Sequence, residues 1–287
     1  MLKLGFIGAG TIGTALGIQL SNKGYPVVAV SSRRHTSARN LAQAISGCSP
    51  VDGNQEVADR AELIFITTPD DAISPVASRI EWHKGQRVVH CSGADSTDIL
   101  EPAKKSGACV GVFHPLQTFA TVKQAIENTP GSTFALEAEK PLLKTLQDMA
   151  TVLGGHWIEL KASDKVVYHA AAVIACNYLV TLVKLATDLW QTFDVPRTQA
   201  TEALLPLIRG TIRNIETVGI PECLTGPIAR GDSGTIKKHL YALQKAAPDL
   251  LTTYRELGLQ TIPIALAKGR INKHQAEELK AILKQFD

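Results

Sequence analysis

The sequence predicts an α/β N-terminal half with a doubly wound, mainly parallel sheet, followed by an all-α C-terminal half. Short β-branched runs alternate with helical stretches up to about residue 160, which is the pattern of strand-helix-strand units. From Ala162 onward no strand pattern occurs. A chain of 287 residues also suits two domains of ~100–200 residues each. We therefore place the domains at 1–160 and 161–287.

The elements of the first half follow from the position of β-branched runs and helix signals. The predicted strands are Leu2–Ile7, Val27–Ser31, Leu63–Thr67, Arg87–Cys91, Ala108–Phe113, Ser132–Leu136 and His156–Leu160. The predicted helices are Thr11–Asn22, Ser37–Ala44, Pro75–Glu81 and one near Lys140–Leu153.

Five helices are predicted in the second half. They are Ser163–Phe193, Thr198–Val218, Ser233–Ala246, Pro248–Ala267 and Asn272–Phe286. Prolines and glycines separate them, and Asn272 is a good N-cap for the last. The segment from Lys165 to Val183 is apolar on almost every side, which predicts a buried helix whose polar residues have partners.

Composition excludes several classes of protein. Apolar residues make up 45% and charged residues 20%, which is typical of a folded globular chain. The formal charge is +3 without a basic run, so we expect no nucleic acid as partner. The apolar stretch Ala170–Val183 is shorter than the ~18 residues of a membrane span, and the N-terminus lacks the pattern of a signal peptide. We expect no membrane association and a cytoplasmic protein.

The five cysteines are scattered and form no C-x-x-C pair, so we interpret them as reduced, small apolar side chains. His90, Cys91, Cys109 and His114 match no zinc spacing. We predict no metal.

A G-x-G-x-x-G motif follows the first strand and opens the first helix. It consists of Gly8, Ala9, Gly10, Thr11, Ile12 and Gly13. In this position Gly8 permits a tight turn, Gly10 lets the backbone approach a pyrophosphate, and Gly13 allows close helix-sheet packing. The motif therefore predicts a Rossmann dinucleotide site, the alternative being three glycines in an ordinary turn.

The end of the second strand favours NADP(H) over NAD(H). An NAD enzyme normally places a carboxylate about 20 residues after the glycines. Here the sequence has Ser31, Ser32, Arg33 and Arg34, which suit a 2′-phosphate. The alternative is a solvated basic loop. Thr67, Thr68 and Pro69 end the next strand, and we expect Thr68 and Pro69 on the nicotinamide-ribose side.

Four segments carry a resemblance to known proteins. They are His90-Cys91-Ser92-Gly93-Ala94, His114-Pro115-Leu116-Gln117-Thr118-Phe119, Tyr168-His169-Ala170-Ala171-Ala172 and the run from Leu224 to Asp232. Through them the chain resembles Rossmann-like proteins with a C-terminal helical domain of unassigned function. Their superfamily joins a Rossmann domain to a 6-phosphogluconate-dehydrogenase-like helical domain, and it includes pyrroline-5-carboxylate reductase, ketopantoate reductase and 3-hydroxyacyl-CoA dehydrogenase. The resemblance implies an NADP-dependent oxidoreductase.

Four polar residues are candidates for chemistry. His114 follows a strand with Pro115 fixing the turn behind it, and the resemblance to hydroxyacyl-CoA dehydrogenase implies proton transfer there; the alternative is a histidine bonded to a loop carbonyl. Lys165 and His169 are four residues apart and share a helix face. Asn177 matches an asparagine of ketopantoate reductase and hydroxyacyl-CoA dehydrogenase, whereas His169 stands where ketopantoate reductase has its lysine.

Two further segments are candidates for substrate binding. The amides of Thr225 and Gly226 with the guanidinium of Arg230 suit a carboxylate, unless Arg230 pairs with Asp232 and both cap the next helix. Ser92 and Gly93 lie at the mouth of another strand.

Together these features predict a reductase that transfers hydride between NADP(H) and a small oxo or imino carboxylic acid, with a ketopantoate-like compound as the leading substrate. We expect a homodimer, because the helical half is rich in apolar residues and related proteins pair through it. The alternative is a sensor that binds NADP(H) without turnover.

Overall fold

The computed structural model describes residues 1–285, which fall into two compact units. The chain passes from the first unit to the second between Cys176 and Asn177. Each unit has its own apolar core.

The first unit is built on a single eight-stranded sheet. Its strands are β1 (Leu4–Ile7), β2 (Val27–Ser31), β3 (Ser49–Pro50), β4 (Leu63–Ile66), β5 (Arg87–His90), β6 (Cys109–Leu116), β7 (Thr133–Ala138) and β8 (His156–Glu159). The strand order is β3-β2-β1-β4-β5-β6-β7-β8, and every neighbouring pair is parallel except β6 with β7. The predicted doubly wound, mainly parallel sheet is confirmed.

Eight α-helices accompany this sheet. They are α1 (Thr11–Asn22), α2 (His35–Gln43), α3 (Asn54–Arg60), α4 (Asp70–Ala77), α5 (Glu101–Lys105), α6 (Val122–Asn128), α7 (Leu142–Val152) and α8 (Lys165–Ala175). Apolar clusters cover both faces of the sheet, because successive strand residues point to opposite sides. One cluster contains the stacked rings of Phe6 and Phe65.

Helix α4 and strand β6 differ most from their predicted bounds. Helix α4 begins at Asp70 and carries Pro75 in its interior, because Asp70 and Asp71 form the acidic first turn that the helix dipole favours. Strand β6 continues past Phe113 to Leu116, since β7 pairs with it on the outer side. His114 and Pro115 therefore lie within a strand, and the turn expected at Pro115 is absent. The short elements β3, α3, α5 and α6 carry weak sequence signals and were not predicted.

The second unit contains only helices among the described residues, as predicted. These are α9 (Asn177–Gln191), α10 (Arg197–Val218), α11 (Ser233–Ala246), α12 (Pro248–Ala267) and α13 (Lys273–Lys284). Asn272 caps α13 as predicted: it accepts from the Gln275 N–H, and Gln275 Oε1 accepts from the Asn272 N–H in return. The predicted end of this helix, Phe286, lies outside the described residues.

The helix predicted over Ser163–Phe193 is two helices. Cys176 separates α8 from α9 with backbone angles of φ −111° and ψ −64°. Helix α8 belongs to the first unit, where its side chains contact the sheet edge, so the compact units divide later than the predicted boundary near residue 160.

The predicted burial of Lys165–Val183 is wrong for this single chain. Lys165 is buried, but Val166, Val167, Ile174 and Val180 each expose more than 60% of their surface. The segment 162–191 contains an 18-residue window with the length and composition of a membrane span, and the mean hydropathy of that window is 1.8. It is broken at Cys176 and includes the buried Lys165, so this one segment does not indicate a membrane protein.

Candidate functional site

The carboxyl ends of four parallel strands lie level with one another. Ile7 of β1 is in register with Ile66 of β4, Ile66 with His90 of β5, and His90 with Val112 of β6. The residues that follow these positions therefore come out at one edge of the sheet, where open α/β sheets bind their ligands.

The glycine loop occupies the β1 position of this edge. Gly8 has φ +112°, and a Cβ there would lie 2.8 Å from the Thr67 carbonyl. A Cβ on Gly13 would collide with the Gly8 carbonyl oxygen and Thr67 Oγ1, whereas a Cβ on Gly10 would meet nothing within 4 Å. These are the tight turn, the close packing and the open approach that the motif predicts.

Polar groups without protein partners surround this loop. Gly10 is the N-cap of α1 and has no side chain to bond the first N–H groups, those of Thr11, Ile12 and Gly13. The Thr67 hydroxyl donates to the Gly8 carbonyl at 2.7 Å and holds the loop on β4. Thr68 Oγ1 is enclosed and has no hydrogen-bond partner among the described residues. The donor set and the open side of Gly10 fit a pyrophosphate.

The end of β2 presents two free cations. Arg33 and Arg34 are exposed, and within residues 1–285 neither forms an ion pair. Ser32 is half-buried. Ser31 is 1% exposed and its hydroxyl donates to Asn54 Oδ1 at 2.7 Å. The Ser31 hydroxyl is therefore bonded within the protein, and its contact with a 2′-phosphate stays a prediction.

Two histidine rings, one from β6 and one from α8, lie close together above the loop that follows β5. The rings of His114 and His169 have centroids 6.2 Å apart. A Cβ on Gly93 would lie 2.8 Å from His114 Nε2 and 2.6 Å from His169 Cδ2. Only a glycine at residue 93 leaves room for both rings. His114 Nδ1 also lies 2.9 Å from the Tyr168 hydroxyl.

A network of polar groups holds the loop after β5. His90 accepts from the Ser92 N–H through Nδ1 and faces the Ser96 carbonyl with Nε2, both at 3.1 Å. The Ser92 hydroxyl lies 3.0 Å from Asp70 Oδ2 and 2.8 Å from Asp95 Oδ2. Ser92 is 2% exposed and its side chain braces the loop, while its predicted contact with substrate stays a prediction.

Lys165 places a buried cation beside this loop. It is 1% exposed, and its ammonium donates to the Ser92 carbonyl at 3.3 Å. Burial lowers the pKa of Lys165, while the carboxylates of Glu137, Asp95 and Asp70 act in the opposite direction. These carboxylates stabilise the charged ammonium in the protein interior. Without them, burying this charge would cost free energy.

Burial and this cation keep two histidines neutral. The pKa of His114 is lowered to about 4 by burial and then by the charges of Lys165, His169 and His90. Burial also lowers the pKa of His90 to about 4, with a smaller contribution from Lys165. His90 thus has the structural, loop-bonding role that was the alternative for His114.

Other predicted site residues belong to the second unit. Asn177 begins α9, and Thr225, Gly226 and Arg230 lie in or beside the loop before α11. Asp232 caps α11 by accepting from the Thr235 N–H at 2.9 Å, which confirms that part of the alternative. The roles predicted for Asn177 and for the carboxylate-binding residues stay predictions.

Sequence reasoning missed Tyr168 and the carboxylates Asp95 and Glu137 as parts of this edge. Tyr168 stands three residues after Lys165, a spacing that places both on one side of α8. The carboxylates had no comparable signal, because they come from separate elements of the sheet. Within the described part of the chain no cluster of three or more His, Cys, Asp or Glu could hold a metal ion.

Comparison with known families assigns both parts of the chain. A Rossmann-like domain matches residues 1–115, and a domain of unknown function, DUF2520, matches residues 132–261. The chain combines a Rossmann-like domain with a DUF2520 domain. No curated protein matches the sequence.

Several solved structures share the fold of this Rossmann-like and DUF2520 chain. A candidate NADP oxidoreductase from Bacteroides fragilis is 26% identical with a TM-score of 0.72, over 91% of this chain and 98% of that one. A protein from Thermotoga maritima is 26% identical with a TM-score of 0.75, over 93% and 100%. A reductive aminase from Aspergillus terreus, solved with NADPH and ethyl-5-oxohexanoate, is 16% identical with a TM-score of 0.65, over 99% and 93%.

The neutral histidines predict a loss of stability in mild acid. An unfolded histidine takes up a proton near pH 6.5, whereas His90 in the folded chain stays neutral until about pH 4. Because the unfolded state binds more protons in this window, the free energy of unfolding falls as the pH falls from 6.5 towards 4. From pH 7.5 to pH 5, His90 accounts for a loss of about 2 kcal/mol.

Urea unfolding at pH 7.5 and pH 5 measures this effect. We expect His90→Gln to lose less stability between the two pH values than the wild type does, by about 2 kcal/mol. His156→Gln, at an exposed histidine, serves as the control and should behave like the wild type. An equal loss in His90→Gln and the wild type contradicts the assignment of His90 as a buried neutral base.

Proposed function

We propose that the chain is an NADP(H)-dependent oxidoreductase that reduces a small oxo or imino acid. The observation that carries this proposal is the alignment of strand ends, which brings the glycine loop, Thr68 and the His114–His169 pair to one edge of the sheet. An edge of this kind offers a place for a dinucleotide beside groups that can handle a proton.

Several features of the edge fit NADP(H). The uncapped N-terminus of α1 and the open side of Gly10 suit the pyrophosphate, and the free cations Arg33 and Arg34 suit a 2′-phosphate. Similar structures were solved with NADP or NADPH bound. When bound, NADPH supplies the hydride for the reduction.

The residues of this chain would then orient the substrate and supply the proton. His114 has the better position, because its Nδ1 is held by Tyr168 while its Nε2 has no partner among residues 1–285. His169 lies on the opposite side of the same space above Gly93. Lys165 acts on His114 through its charge, and we do not place it in contact with substrate. For Asn177 we propose orientation of the substrate.

A carboxylate-bearing substrate is our proposal for the finer specificity, with a ketopantoate-like compound as the leading candidate. The amides of Thr225 and Gly226 together with Arg230, which is exposed, suit binding of the carboxylate group. A protein that binds NADP(H) as a sensor without turnover is the competing function, and the tests below distinguish the two.

We further propose a cytoplasmic homodimer. The five cysteines are all free, as in a reducing compartment. Apolar side chains are exposed on each of α8, α9 and α10, among them Val167, Val180 and Leu207, and a second copy would cover such side chains. Sedimentation equilibrium should give twice the chain mass of 30.8 kDa, and a mass of one chain would refute the dimer.

The cofactor assignment is tested on Arg33. A hydrogen bond to a charged group contributes about 1.5–3 kcal/mol, so Arg33→Ala should weaken NADPH binding roughly 10- to 150-fold and leave NADH binding nearly unchanged. Isothermal titration calorimetry measures both affinities. Arg79→Ala removes another exposed arginine of the first unit and should change neither. Equal affinity of the wild type for NADPH and NADH would refute the assignment.

The oxidoreductase assignment is tested by NADPH absorbance with a panel of 2-oxo acids and cyclic imines. We expect turnover with at least one of them, and a fall of ~10²–10⁴ in kcat for His114→Ala if His114 transfers the proton. NADPH affinity should stay within a few-fold of the wild type, since the glycine loop and Arg33 carry it. His156→Ala is the control. Tight NADPH binding without turnover across the panel would favour the sensor.

A further inference from the structure

Tyr168 and His114 form a pair whose hydrogen bond determines what His114 can offer a ligand. The Tyr168 hydroxyl lies 2.9 Å from His114 Nδ1, and the two rings are perpendicular with centroids 5.7 Å apart. Tyr168 comes from α8 and His114 from β6, so the contact joins the helix to the sheet edge.

Both partners are neutral over a wide pH range. Burial raises the pKa of Tyr168 to about 12 and lowers that of His114 to about 4. The groups that face His114 are Lys165 and His169 from α8 and His90 from β5, and each of them acts against a positive charge on its ring. At neutral pH, therefore, the pair holds one O–H and one ring N–H.

The hydrogen-bonding capacity of the two groups favours one arrangement. If Nδ1 carried the ring proton, the hydrogen of the half-buried phenol would have only water as acceptor, since no residue from 1 to 285 provides one. If the phenol donates to Nδ1, its hydrogen is used and the ring proton resides on Nε2. Nε2, which has no partner among the described residues, lies beside Gly93. A phenol is also the stronger donor and an imidazole nitrogen the stronger acceptor.

We propose that Tyr168 is a positioning residue that holds His114 as the Nε2–H tautomer, so that the site takes an oxo compound in preference to an iminium. This inference rests on the proposed function of the same site. A carbonyl oxygen has lone pairs that accept from the Nε2–H. An iminium nitrogen has none, carries its own N–H, and adds a positive charge near the buried cation of Lys165.

The proton balance of a reduction follows from the same arrangement. NADPH, when bound, would supply the hydride of the new C–H bond, and the electron pair of the C=O π bond would then move to the oxygen. The oxygen takes the proton of His114 Nε2 as Nδ1 takes the proton of Tyr168. The phenolate that results is a much weaker base than an alkoxide and regains its proton from water. Without the phenol, the same transfer would leave a strongly basic imidazolate.

The tautomer is measured without substrate or cofactor. Long-range ¹H–¹⁵N correlation spectra distinguish a protonated ring nitrogen from an unprotonated one, and we expect His114 of the wild type to be the Nε2–H form from pH 6 to pH 9. Tyr168→Phe keeps the ring and removes the hydroxyl, so His114 should become a mixture of tautomers. A wild-type His114 that carries its proton on Nδ1, or an unchanged spectrum in Tyr168→Phe, overturns the proposal.

The chain offers a matched control. His239 Nδ1 lies 2.7 Å from the Tyr254 hydroxyl, with perpendicular rings 5.9 Å apart, in the second unit. Tyr254→Phe therefore removes the same bond elsewhere. In NADPH oxidation we expect Tyr168→Phe to lower kcat about tenfold with little change in KM, and Tyr254→Phe to have no effect. Equal kcat values for the two variants overturn the functional role of Tyr168.

Substrate class is tested with an oxo acid and a cyclic N-alkyl iminium acid of similar carbon skeleton, whose nitrogen carries a fixed charge and no lone pair. The wild type should have the higher kcat/KM for the oxo acid, and a preference for the iminium overturns that part of the proposal. If neither compound nor any other of the panel is reduced, the proposed function fails and the substrate preference fails with it. The tautomer spectra still decide the role of Tyr168 in that case, so the two failures are distinguishable.

Discussion

The parallel register of β1, β4, β5 and β6 is the constraint on which the site depends. Since Ile7, Ile66, His90 and Val112 lie level, the chain leaves four strands at one edge. The glycine loop and the histidine pair come from segments more than 80 residues apart in sequence. Only the register of the strands brings them to the same edge. A shift of one residue in this register would turn every following side chain to the other face of the sheet.

The buried charge of Lys165 links the loop after β5 to the state of the histidines. Its ammonium bonds the Ser92 carbonyl, and carboxylates from three separate elements, α4, the loop after β5 and β7, stabilise it. The same charge disfavours protonation of His90 and His114. His90 and His114 are therefore neutral imidazoles near pH 7, which makes the position of their ring protons a matter of hydrogen bonding and not of pH.

The sequence predicted those features that depend on local pattern. The strand-glycine-helix order predicted the geometry of the glycine loop, and Asn272 predicted the start of α13, since the physical reason lies within a few residues in each case. Periodicity alone predicted one continuous helix where Cys176 separates α8 from α9. The pairing of Tyr168 with His114 and the burial of Ser31 and Ser92 depend on contacts between distant segments, which composition and spacing do not encode. The exposed apolar residues of α8 and α9 show a similar limit. An apolar pattern predicts that a helix face is buried, but it does not identify the surface that covers that face.

Amide hydrogen exchange at the start of α1 tests the central claim most directly. The N–H groups of Thr11, Ile12 and Gly13 have no side-chain cap, so they should exchange fast in the free protein. The claim that this helix end binds the pyrophosphate predicts that saturating NADPH slows their exchange, while the capped first turn of α13 is unaffected. Unchanged exchange at these three amides in the presence of bound NADPH would contradict the account.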